Sequence, residues 1–92
     1  MNQGDVISAL QLLAVQEDER FRQYIQCLLT QTQLQRQVLT LSSLAVNEPD
    51  VNEALDYQLE LLSKNQEELK QLNEELKEFS EQMNYLKSLN IF

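Results

Sequence analysis

Few side chains in this 92-residue chain could take part in a reaction. Cys27 is its one thiol, and there is no histidine to activate it. A cysteine nucleophile needs a neighbouring base or a depressed pKa, so Cys27 reads as a small packed residue. A disulfide across a dimer is the minor alternative, and an internal disulfide is impossible. Metal sites built from Cys and His are excluded for the same reason. The paired acids Glu67/Glu68 and Glu74/Glu75 repeat at seven residues and could suggest a carboxylate metal site. Di-metal bundles, however, draw on Glu-x-x-His on inward faces. Here Lys64, Lys70 and Lys77 lie within helical reach of these acids. They are expected to face solvent, as is the run Glu17-Asp18-Glu19. With no Gly-rich loop and no acid–base pair in an apolar setting, neither catalysis, a cofactor nor a metal is expected.

The elements that carry these residues are set by a hydrophobic repeat. From Val51 onward, positions alternating by four and three residues read Val51, Leu55, Gln58, Leu62, Asn65, Leu69, Leu72, Leu76, Phe79, Met83, Leu86 and Asn90. Nine of the twelve are apolar, with no slip of phase. A mean spacing of 3.5 keeps one stripe of a helix turned toward a supercoiling partner. Besides Asn90 at its end, two polar residues stand inside that stripe. A buried amide must find a partner or bear its desolvation, so Gln58 and Asn65 are candidates for fixing register and oligomer number.

The first half carries a broader stripe. The positions 7, 10, 14, 17, 21, 24, 28, 31, 35, 38, 42 and 45 hold eight apolar residues, and shifting the phase back by one scores about as well. Broad stripes belong to helices with two neighbours. Asp5 is a plausible N-cap. The polar turn at 16–20 could bend or break the helix, but no Gly or Pro forces a break, so continuity is favoured. The one strong punctuation is Val46-Asn47-Glu48-Pro49-Asp50, where Pro49 disfavours helix at Glu48 and suits a first turn itself. Asn47 or Asp50 could cap the helix that follows.

The expected fold is all-α: a single domain, 1–92, forming a long antiparallel, coiled-coil-like hairpin. Its helices cover about 5–45 and 51–90, with a loop at 46–50. In equal arms, facing residues sum to about 96. Eighteen Leu, thirteen Gln, one Gly and one Pro agree with this. Apolar side chains outside a single seam point to homodimerisation into a four-helix bundle.

The net charge of −8 sits mostly in the second half, where eleven acids face four lysines. Such a surface repels a phosphate backbone, so no nucleic-acid partner is expected. The longest mainly apolar run, Val6 to Val15, is too short to cross a bilayer and lacks the flanks of a signal peptide. No membrane contact and a cytoplasmic location are therefore expected.

What remains is protein–protein interaction. Leu59, Leu61, Leu89, Ile91 and Phe92 are apolar residues outside the seam and form the candidate partner surface. The fitting partner is a basic or amphipathic helix. The expected role is that of a small acidic adaptor or chaperone. The alternatives are an assembly subunit of a larger helical complex, or an acidic inhibitor occupying a basic groove as a nucleic-acid mimic.

Overall fold

The computed structural model describes residues 3–89 and is an all-α helical hairpin. Helix α1 runs Gln3–Ala45, and helix α2 runs Asn52–Leu89. A single 3-10 turn, Pro49–Val51, leads into α2. Among the described residues there is no strand, and no helix is long and apolar enough to cross a membrane.

The connection follows the chemistry of Pro49. Proline stands at the start of the 3-10 turn, and Glu48 before it takes an extended conformation (φ −131°, ψ 87°). The amides of Asn47 and Glu48 both donate to the Leu44 carbonyl, at 3.1 and 2.8 Å, closing the end of α1. No side-chain cap serves the 3-10 turn, so the caps expected from Asn47 or Asp50 are not what starts it. Asp5 is likewise no N-cap. It lies inside the first turn of α1, where a carboxylate still suits the positive helix end.

Helix α1 is unbroken through 16–20. The polar residues there support it from within: Arg22 pairs with Asp18 at 3.0 Å one turn away, and Arg20 Nη1 donates to Gln23 Oε1 at 3.1 Å. Farther along, the hydroxyls of Thr30, Thr32 and Thr40 return to the carbonyls of Gln26, Leu28 and Arg36. These bonds absorb polar groups that would otherwise compete with the helix.

Packing divides the chain into two compact units. The terminal unit joins the stretch ending at Tyr24 to the stretch beginning at Gln71, and the turn unit is Ile25–Lys70. In both, the α2 stripe is the covered one. All its described positions, from Val51 to Leu86, are buried or half-buried, and Asn90 lies outside the described residues.

The α1 stripe needs a correction. Its covered positions are Val6, Leu10, Leu13, Glu17, Arg20, Tyr24, Cys27, Gln31, Leu34, Val38, Leu41 and Ala45, with Ala9 and Thr30 half-buried beside them. Half of the expected register survives, while 7, 14, 21, 28, 35 and 42 give way to 6, 13, 20, 27, 34 and 41. The reason lies in the two candidate rows. Ile7, Ala14, Phe21 and Leu28 form an apolar row that ends in Gln35 and Ser42. The row through Val6, Leu13, Cys27, Leu34 and Leu41 is interrupted at Arg20 but stays apolar to the end. One partner helix covers one row, and the row that persists along the whole arm wins.

Candidate interaction surfaces

The turn unit holds an enclosed polar cluster. Asn65 is 8% exposed and Cys27 5%. Asn65 Nδ2 donates to Gln31 Oε1 at 2.8 Å and to the Cys27 carbonyl at 3.1 Å. The Cys27 thiol donates to Asn65 Oδ1 at 3.2 Å. The amide thus meets partners on the opposite helix with both its ends, as a register-setting residue requires. Burial pushes the Cys27 thiol above its ordinary pKa, and the negative charge of Glu68 adds to that. A thiol held protonated is a poor nucleophile.

Gln58, the other register candidate, is placed differently. Its Oε1 is enclosed without a hydrogen-bond partner, beside an open depression lined by Arg36, Gln37, Thr40 and Leu41. Leu61 lies half-buried beside another depression, lined also by Thr30, Leu34, Lys64, Asn65 and Glu68. Leu59, two residues earlier and so on the opposite flank of the seam, is 44% exposed. The two leucines do not form one face. Ile25, Leu28 and Leu29 of α1 are also exposed in this unit, at helical spacing that puts them side by side.

The terminal unit buries apolar side chains where the turn unit buries a polar cluster. Val6 and Leu72 are its most enclosed side chains. A polar contact across the two helices lies at the part-exposed edge of the seam: Arg20 Nε meets Glu75 Oε2 at 3.0 Å, and Gln71 Nε2 donates to Glu75 Oε1 at 3.3 Å. Glu75 is therefore engaged across the hairpin rather than turned outward, because its position flanks the seam. Among the exposed acids, Glu74 and Glu81 here and Glu53, Glu60 and Glu67 in the turn unit recur at seven-residue spacing on the side of α2 away from the seam. Leu89 is 37% exposed. Ile91 and Phe92, the other candidates at this end, lie outside the described residues.

Exposed Phe21 marks a feature the sequence reading passed over. An open depression of about 430 Å³ is lined by Ala14, Glu17, Asp18 and Phe21, together with Leu76 of α2. Among the described residues no group of three or more His, Cys, Asp or Glu side chains could hold a metal ion.

The fold and these surfaces define a two-helix hairpin with apolar side chains left beyond its seam. No family model, curated protein or solved structure matches the chain.

Proposed function

We propose that this chain is a non-enzymatic protein–protein interaction module, a small acidic adaptor or chaperone that holds an amphipathic helix of another protein. The observation that carries the proposal is the run of exposed apolar side chains in the turn unit, with Ile25, Leu28 and Leu29 side by side on α1 and Leu59 exposed on α2, beside Leu39, Leu44, Val46 and Tyr57. Aliphatic side chains left in water along both helices of a hairpin this small favour a further helix laid against them. The net charge of −8 favours a helix with basic flanks. A protonated, enclosed Cys27 suits a reducing compartment such as the cytoplasm.

The test is capture from the native source on the immobilised chain. A partner with a basic amphipathic segment should be retained in fixed ratio and persist at raised salt, because apolar burial carries the contact. Leu28→Asp with Leu59→Asp should abolish capture at unchanged helicity. Retention indifferent to that pair and collapsing with salt would favour the acidic inhibitor instead, the reading supported by outward Glu53, Glu60 and Glu67.

A further inference from the structure

We infer that a second copy of this chain docks on α1 of the terminal unit, antiparallel, with Phe21 of each copy seated in the Ala14–Phe21 depression of the other. The inference rests on the interaction-module reading and assigns that reading a self-association site apart from the client surface of the turn unit.

The first argument is geometric. Ala14, Glu17, Asp18 and Phe21 stand at i, i+3, i+4 and i+7 on one helix. These four positions frame the hole into which a coiled-coil partner inserts one side chain. Leu76 of α2 also lines it, and at about 430 Å³ it is roomy enough for an aromatic ring. Phe21 is 51% exposed on the same strip of α1, so the chain carries both a vacant hole and an unseated knob. A surface that supplies knob and hole together is what an isologous two-fold contact needs.

The second argument is charge. The turn Glu17-Asp18-Glu19-Arg20-Phe21-Arg22 places its acids before its bases. Reversed against a copy of itself, with the two-fold axis level with Glu19 and Arg20, it brings acids opposite bases. Phe21 of each copy then lies level with Asp18 of the other, and Asp18 of each beside Arg22 of the other. Within one chain Asp18 and Arg22 already pair at 3.0 Å on exposed side chains, so both are turned to the same side of α1. Four charges alternating around the axis would be the result.

The same charges select the occupant. This turn carries three acids and two arginines, which offers little to a strongly basic helix. Helix α2, with nine acids against four lysines, repels a second copy. Two copies therefore meet through α1.

Sedimentation equilibrium at micromolar concentration should return twice the chain mass of 10.8 kDa. Phe21→Glu should raise the dimer dissociation constant about a hundredfold, as loss of a central anchor does, with the circular dichroism spectrum unchanged. Asp18→Arg gathers like charges around the axis and should dissociate the dimer too. Combining it with Arg22→Asp restores the alternation and should restore the mass. A monomeric wild type, a dimer indifferent to Phe21→Glu, or a failure of the charge exchange to recover the dimer would each overturn the assignment. If Leu28→Asp dissociates the dimer while Phe21→Glu does not, the self-association site belongs to the turn unit and this placement is wrong. The interaction-module reading fails separately, on loss of client capture.

Discussion

The two units solve one problem, the pairing of α1 with α2, by opposite means. In the turn unit the seam encloses Asn65, whose amide is bonded to Gln31, the Cys27 thiol and the Cys27 carbonyl. In the terminal unit the enclosed positions are apolar, Val6 and Leu72, and the polar contact has moved to the rim as Arg20–Glu75. An enclosed amide without partners costs about 1–3 kcal/mol, whereas a rim ion pair is worth about 0–1 kcal/mol because water replaces it. A slipped register is therefore expected to cost more in the turn unit, where it strands the Asn65 amide, than in the terminal unit.

The largest expected effect comes from exchanging the two devices. Leu72→Asn loses a buried aliphatic side chain and encloses an amide with no cluster prepared for it. The expected destabilisation is about 3 kcal/mol or more. Asn65→Leu removes both ends of the amide, leaves half-buried Gln31 free to bond water, and leaves the weak thiol donor of Cys27 the backbone carbonyl of residue 65 at 3.6 Å. Its expected cost is within about 1 kcal/mol, with loss of a unique register in place of loss of stability. Urea unfolding measures the first quantity, and the number of amide resonances in a ¹⁵N spectrum the second. Comparable costs for the two substitutions would break the contrast between the units.

A smaller effect follows from the same enclosure. The Cys27 thiol is held protonated, by burial first and by Glu68 second. In the unfolded chain a thiol ionises near its ordinary pKa of about 8.5. Above that pH the unfolded state binds fewer protons than the folded one, so stability falls as pH rises. Below it the group contributes no pH dependence. Between pH 8 and 9.5 the folded chain should therefore lose stability, by no more than about 1.36 kcal/mol per pH unit. Cys27→Ser keeps a donor toward Asn65 Oδ1 and does not titrate in this range. Its thermal midpoint should be flat where the parent's falls, and a parallel fall in both would locate the titration elsewhere.

How much of this was legible depended on whether one stripe or two competed for a helix. The α2 seam could be read position by position because Val51, Leu55, Leu62 and their successors have no rival row. Pro49 placed the reversal to within a residue or two. On α1, Ile7-Ala14-Phe21 and Val6-Leu13 run side by side, and only the fading of the first row into Gln35 and Ser42 chooses between them. The Asn65 cluster was half visible. Equal arms with facing residues summing to about 96 put Asn65 level with Gln31, which is its shortest bond. Cys27, one turn earlier, entered as a packing residue because a thiol reveals its hydrogen bond only once its neighbour is known. Glu75 was assigned to solvent for a related reason. Its partner Arg20 is distant in sequence, and near-neighbour lysines looked sufficient. The hole framed by Ala14 and Phe21 went unread because it exists only after α2 has covered the other row.

The smallest effect tests the rim. Arg20 and Glu75 have side chains 40% and 30% exposed, so solvent screens their attraction despite the 3.0 Å separation. A double-mutant cycle with Arg20→Met and Glu75→Gln isolates the pair, since Met keeps the aliphatic stem and Gln keeps an acceptor near Gln71. The expected coupling is about 0.5 kcal/mol in low salt, fading toward zero near 1 M, where the screening length is about 3 Å. The corresponding cycle on Asn65→Leu and Gln31→Leu should give a larger coupling that salt does not change, because that contact is neutral and shielded by the seam. A rim coupling above about 1.5 kcal/mol and insensitive to salt would mean that the terminal unit sets register as firmly as the turn unit.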